Sequence, residues 1–341
     1  HSQKLASTPS ITATAEDLGL NLNNAVRDND IQSVVELLEK GADVNSKAEG
    51  GWTPLQSAVQ ADNEDMVRLL LGKGASPHTR KDNGGTAFTE AGSTGNVNIL
   101  ELLLDYGLNI NGCDDNGFTA FMEAAWYGKT EALKFLYSKG ANVNLGRVVN
   151  EEKAKLHKGG ETALMDACRK HRFLAVKTLV QEMGADVNIH DNKDRNALIH
   201  TLIGDCDKES YQSAVSIGLF LLGLDGVDVN SKDECGRTAL ILAVKMQSPE
   251  LVTALLEKGE IDIDDADEEG NTALMVAVEK NNYDIAKLLC EKGARTDVGN
   301  LIAVANRNRA HDMARLLRQH NARFVPETLL DWEPKSKRWR D

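Results

Sequence analysis

Two aromatic residues, Trp52 and Phe118, stand 66 residues apart, each directly before a Thr that opens a short helical pattern. A flat ring held at the edge of a groove can stack on a nucleobase, worth roughly 1–3 kcal/mol per base. Lys81, with Arg80 beside it, lies in the segment between the two rings, and Arg147 lies just past the second. Cations there would meet phosphates running between stacked bases. Glu123 and Tyr127 follow Phe118 and are four residues apart, so they share one helix face. A carboxylate on that face could accept from an exocyclic amine, which would favour adenine. Each feature also has a plainer reading. The rings could patch a loop or meet a protein partner, and the charges could be solvated surface groups. The residues alone leave both open.

No catalytic set emerges. The eight histidines pair with no Ser, Cys or Asp at an informative spacing, and His157 and His171 read as surface residues. Gly128-Lys129-Thr130 and Gly236-Arg237-Thr238 loosely resemble a phosphate loop, but the full G-x-x-x-x-G-K-[ST] pattern is missing and both fall on a repeating template.

That template is what must position the rings. Thr53-Pro54-Leu55, Thr86-Ala87-Phe88 and Thr119-Ala120-Phe121 recur at a spacing of 33 residues, and related blocks follow at Thr162, Asn196, Thr238 and Thr272. A second block closes most units, as in Gly41-Ala42-Asp43-Val44-Asn45 and Gly140-Ala141-Asn142-Val143-Asn144. A fixed period near 33 with these two signatures is that of the ankyrin repeat. Thr can cap the free amides of the first helix, and Pro54 sits where a missing N–H costs nothing. A small-residue face, a polar turn and a second helix with Leu and Val at helical spacing complete each unit. The expected fold is therefore all-α: a solenoid of about nine repeats with β-hairpin fingers. Residues 1–20 read as a flexible leader, 21–324 as the repeat domain and 325–341 as a linker. Two units are stretched, which places insertions near 145–159 and 204–212. The first carries Arg147, Lys153, Lys155, His157 and Lys158, a basic cluster. Adjacent helices pack at roughly 8–10 Å, so rings two repeats apart should lie about 20 Å apart on one face.

The chain has 341 residues, too many for one core but ordinary for a repeat stack. A net charge of −13 argues against duplex nucleic acid and membrane surfaces, which need a broad basic field. The five cysteines show no metal spacing, as expected for reduced thiols of a cytoplasmic protein. No apolar run approaches a membrane span.

At several segments the chain closely resembles the N-terminal ankyrin domain of the 2′,5′-oligoadenylate-dependent ribonucleases, the RNase L family. They are Gly50-Gly51-Trp52-Thr53-Pro54-Leu55, residues Gly117 to Ala125, Ala132-Leu133-Lys134-Phe135-Leu136-Tyr137, Arg195-Asn196-Ala197-Leu198-Ile199-His200, and Asp331-Trp332-Glu333-Pro334 in the tail. The resemblance implies that the groove of about repeats two to four binds 2′,5′-linked oligoadenylate, an activating ligand rather than a cofactor. Trp52 and Phe118 would stack on adenines, Lys81 and Arg147 would hold phosphates, and Glu123 would read an adenine amine. Tyr127 and Gln60 would line the pocket. Ser57 departs from the family's Asn, with less reach towards the ligand. Arg237 and Asn271 stand at the family's GKT-like positions, where Asn271 lacks a cation. Arg307 and Arg309 would contact ligand held by a partner protomer. The family's whole proteins dimerise on ligand binding and carry kinase-like and ribonuclease domains further on, so this segment is expected to sense rather than cut. An ankyrin scaffold for protein binding is the alternative.

Overall fold

The computed structural model describes residues 14–156, 158–204 and 207–323. The tail segment 325–341, the expected Asp331–Pro334 match, His157, Cys206 and most of the expected leader lie outside these residues.

Each repeat begins where a side chain can satisfy the amides a helix start leaves open. Thr53 opens α3 (Pro54–Gln60): its hydroxyl accepts from the Gln56 amide at 3.3 Å, and the Gln56 side chain accepts from the Thr53 amide at 2.9 Å. Thr86 opens α5 (Ala87–Thr94) in the same way, and Thr119 opens α7 (Ala120–Tyr127) through its hydroxyl alone, which accepts from the Met122 amide at 3.2 Å. The paired helices α4 (Glu64–Gly72) and α6 (Val97–Leu104) start at Asn63 and Asn96, whose side chains accept from the third helical amide. They bury Met66, Val67, Leu70, Ile99, Leu100 and Leu103. α1 (Ala15–Arg27), α2 (Ile31–Glu39) and α8 (Thr130–Ser138) complete this part. Helix α1 opens at Thr14 with a reciprocal cap from Asp17, so 15–20 are helical although their composition reads as leader.

By their internal contacts the described residues divide after Asn142 into two compact units. In the first, α1, α3, α5 and α7 stack in order, backed by α4, α6 and α8. α5 and α7 approach closely: a Cβ on Gly92 would lie 2.2 Å from the Ala120 carbonyl oxygen, so only glycine admits the approach. The second unit holds a short α9 (Glu151–Lys155) in the first insertion, followed by inner helices α10 (Ala163–Arg169), α12 (Ala197–Ile203), α14 (Ala239–Lys245), α16 (Ala273–Glu279) and α18 (Leu301–Arg307). Behind them lie α11 (Phe173–Lys177), α13 (Tyr211–Leu222), α15 (Pro249–Glu257), α17 (Tyr283–Glu291) and α19 (His311–Gln319).

The fingers differ from the expected hairpins. Among the described residues no strand forms, and β pairing is limited to isolated bridges such as Cys113–Thr119 and Lys232–Thr238. Each finger is a closed turn instead. The Lys81 amide donates to the Gly85 carbonyl at 2.8 Å, and Gly84 donates back to the Lys81 carbonyl at 2.9 Å. Successive fingers can share a backbone bond, as from the Asp82 amide to the Gly50 carbonyl at 3.1 Å and from Asp115 to Asn83 at 2.9 Å. The arms are too short to continue a ladder.

Candidate functional site

The 33-residue period places equivalent residues of the first unit in rows. Trp52, Gly85 and Phe118 form the lip, Ser57, Glu90 and Glu123 lie one turn into the inner helices, and Gln60, Ser93 and Trp126 lie one turn further. Trp52, Phe118, Glu90, Glu123 and Trp126 are half-buried, Gln60 and Tyr127 are exposed, and Ser57 is buried. The face is therefore neither a closed core nor free surface.

Lys81 organises one end of it. Its ammonium lies 3.9 Å from the centroid of the Trp52 ring and pairs with the Glu90 carboxylate. The Lys81 side chain is only 7% exposed. Two features hold it there. Gln56, buried in α3, donates from its side-chain amide to the carbonyls of Thr79 at 2.9 Å and Gly85 at 3.3 Å, tying the finger to the preceding repeat. Gly85 leaves room, since a Cβ there would lie 3.1 Å from Lys81 Cε. Arg80 turns away and bonds the Cys113 carbonyl at 3.2 Å and Asp115 at 3.3 Å. At the other end Phe118 meets Trp126 edge to face, with centroids 5.8 Å apart and planes at 86°. The Phe118 amide donates to Asp114 at 2.9 Å, which fixes the ring's root.

In the second unit Arg147 occupies the finger position that Lys81 holds in the first. Its amide donates to the Glu161 carbonyl at 2.9 Å and its carbonyl accepts from Gly160 at 2.9 Å, so residues 148–159 are looped out from an otherwise ordinary finger. The guanidinium pairs with Asp166 and lies 3.8 Å from Glu161. Asp166 is the counterpart of Glu90. The expected basic cluster is divided: Arg147 is turned inward and 12% exposed, Lys155 and Lys158 are exposed beside Glu151 and Glu152, and the Lys153 side chain is not described. Burial pushes the Asp166 carboxyl up to about 6, with Arg147 pulling the other way and Glu161 adding to the rise.

The charged chain continues along this unit. Arg195 lies 3.8 Å from Glu161 and bonds Asp191 through Nε at 2.8 Å and through its terminal nitrogen at 2.7 Å. Asp191 also lies 2.9 Å from His200 Nε2. Asp191 is on its finger and His200 is in the row of Glu90 and Asp166, so the same finger-to-helix contact recurs with the carboxylate now on the finger and an imidazole on the helix. Burial alone would raise the Asp191 carboxyl, but hydrogen bonds from His200 and Arg195 hold it well below the usual carboxylate range. Burial lowers His200.

The remaining residues fall elsewhere. Arg237 is held by its own finger through Asp233 at 2.5 Å, and Asn271 bonds Asp267 at 3.4 Å. Arg307 and Arg309 are exposed in the second unit, and Arg309 forms the left-handed turn between α18 and α19, at φ 56°. His171, expected at the surface, is buried, with Nε2 at 3.0 Å from the Thr201 carbonyl oxygen. It occupies the left-handed turn between paired helices, at φ 53°. The described cysteines, Cys113, Cys168, Cys235 and Cys290, form no disulfide. No helix among the described residues is long and apolar enough to cross a membrane.

Glu90, Trp126 and Asp166 are the partners that inspection of single motifs missed. Stepping 33 residues back from Glu123 reaches Glu90, and registering Thr162 on Thr119 reaches Asp166.

The family description for three-copy ankyrin repeats matches residues 21–81, 70–147 and 210–300, and that for a single ankyrin repeat matches 159–192. The chain belongs to the ankyrin-repeat family. Within it, this ankyrin chain is similar to the 2-5A-dependent ribonuclease of Homo sapiens, at 49% identity over 198 residues, and to that of Mus musculus, at 47% over 200 residues. Each alignment covers 58% of this chain and 26% of the relative, so the matched stretch is about a quarter of the relatives' length. The resemblance drawn from Trp52 and its neighbouring motifs thus extends over more than half the chain.

Proposed function

We propose that this ankyrin chain is an oligonucleotide sensor that binds 2′,5′-linked oligoadenylate on its inner-helix face. The observation that carries the reading is the half-exposed Trp52 ring with the Lys81 ammonium on its face, in a unit that also presents Phe118 and Glu123 at matching register. An ankyrin groove made only for packing has no reason to hold an indole open with a cation against it. Trp52 and Phe118 offer stacking faces to two adenines. Lys81, already charge-balanced by Glu90, exchanges part of that contact for a phosphodiester oxygen. Glu123 accepts from an adenine amine, with Tyr127 and Gln60 at the rim. Arg147, in the second unit, offers a phosphate contact in its own right. Ser57, being buried, contributes less than its row position suggests. The similarity to proteins named 2-5A-dependent ribonucleases supports the choice of linkage. It also supports a role in which ligand binding promotes dimerisation of a longer cytoplasmic protein and activates an antiviral single-strand-specific ribonuclease. In that arrangement Arg307 and Arg309 reach ligand held by the second protomer.

Calorimetry with 2′,5′-linked triadenylate against its 3′,5′-linked isomer tests the reading. Binding of the first and much weaker binding of the second is expected. Equal or absent binding would leave a protein-docking scaffold as the better account.

A further inference from the structure

Arg147 does not wait in solvent for a phosphate. Its guanidinium pairs with Asp166, a carboxylate whose side chain is 3% exposed, and lies 3.8 Å from Glu161, which is 17% exposed. A phosphodiester reaching this guanidinium would bring a further negative charge against two carboxylates in a setting of low dielectric, where like charges repel strongly. The carboxylate that cannot move into water must respond in another way. Asp166 lies in the middle of α10 and is held there by the capping of Thr162 and by packing against α11 and α12.

We propose that Asp166 is a positioning residue for Arg147, and that phosphodiester binding at Arg147 is coupled to uptake of a proton by the Asp166 carboxyl. This rests on the oligonucleotide reading above and adds its regulation by pH.

The surroundings of Asp166 fix the sign. Arg147 faces it from the finger, Glu161 from the lip, and Arg169 from its own helix. Cys168, on the same helix, is pushed up to about 12 by burial and stays a thiol. From α12, packed on α10, come His200 at the equivalent turn and Arg195 at the lip, both committed to Asp191. α11, also packed on α10, is flanked by Arg172 at its start and ends in Lys177. Burial already brings Asp166 to about 6, close to working pH. A phosphodiester that draws on Arg147 weakens the one strong attraction holding the proton off, so the proton-binding tendency rises further on binding. The neutral acid can then keep a hydrogen bond to the guanidinium without adding charge to the site. By linkage, affinity is highest at low pH, falls as pH rises through the carboxyl's free and bound values, and is level above them.

The ligand must not itself titrate in this range. A terminal phosphate loses its second proton near pH 6, so the probe is 2′,5′-linked triadenylate with a free 5′-hydroxyl, which carries only phosphodiesters. Calorimetry on the full chain between pH 6 and 8, in two buffers of different ionisation enthalpy, reads proton uptake directly. Uptake of up to one proton is expected, with affinity falling by at most about tenfold per pH unit within the window. Asp166→Asn should still bind but show neither uptake nor the pH dependence. Glu161→Gln, which removes a neighbouring negative charge, should move the dependence to lower pH and serves if the first variant does not fold. Binding without uptake in the wild type, or equal uptake in Asp166→Asn, overturns the coupling while leaving the oligonucleotide reading intact. Absence of binding at every pH removes that reading and the coupling with it.

Discussion

The Lys81 ammonium rests 3.9 Å from the centroid of the Trp52 ring while its charge is balanced by Glu90. A ring, a cation and a carboxylate from two successive repeats thus form one unit before any ligand arrives. Cation–π contacts contribute about 0.5–1 kcal/mol at exposed sites and more when desolvated. The Lys81 side chain is 7% exposed, so this contact lies towards the stronger, desolvated end, and a base stacked on the ring would add roughly 1–3 kcal/mol of its own on binding.

Trp52→Ala and Phe118→Ala should therefore each weaken oligoadenylate binding by roughly 1–3 kcal/mol, the range for one base stacked on one ring. The unfolding temperature of Trp52→Ala should also fall, through the lost Lys81 contact. Calorimetry and a melting curve on the same samples check this. Unchanged affinity in both variants would remove the stacking assignment.

Lys81→Met and Arg147→Met should each flatten the salt dependence of binding. One phosphate contact to a single strand contributes a slope of about 0.7 in log affinity against log salt. A variant that loses affinity but keeps the wild-type slope would show that its cation acts on the fold and not on a phosphate.

Gly92→Ala should destabilise the chain, against the usual expectation. Ala in a helix interior ordinarily gains about 1 kcal/mol over Gly. Here the new Cβ would meet the Ala120 carbonyl oxygen at 2.2 Å, and overpacking of this kind costs about 1–3 kcal/mol. Denaturant unfolding should give a lower midpoint, and a raised midpoint would mean α5 and α7 are further apart than described.

His200 should make the fold acid-sensitive. Burial lowers its folded pKa below the reference 6.5, so below that pH the unfolded chain binds a proton that the folded chain refuses. Its stabilising contribution is thus lost as pH falls from about 6.5. Asp166 has the opposite sign, because its raised value makes the folded state the better proton acceptor between the reference 3.8 and about 6. His200→Asn should accordingly lose less stability than wild type between pH 7 and 5. Parallel unfolding curves for the two proteins would show that His200 does not titrate differently on unfolding.

Much of the fold was legible because each unit repeats its own punctuation. Thr53, Thr86 and Thr119 open helices through the same hydroxyl-to-amide bond, and a residue able to cap announces itself in the sequence. Fingers were less legible. Their turns are closed by backbone bonds through a left-handed residue, usually Gly, so Gly and Asp spacing marked the turn but not how little strand would accompany it. His171 reads as a polar turn residue, and nothing local reveals that the next repeat's Thr201 carbonyl covers it.

The sequence by itself determined the period, the all-helical class and the rows on which Trp52, Phe118 and Glu123 fall, since a 33-residue comb needs no contact to be read. Only the tertiary structure decided what meets across those rows. Lys81 finds Trp52 in the preceding repeat and Glu90 on its own inner helix, while Arg147 turns inward to a buried Asp166 despite the lysines that follow it. Such pairings depend on burial, which sets how strongly charges attract and how costly they are to leave alone. Burial belongs to the packed stack and to no single stretch of chain.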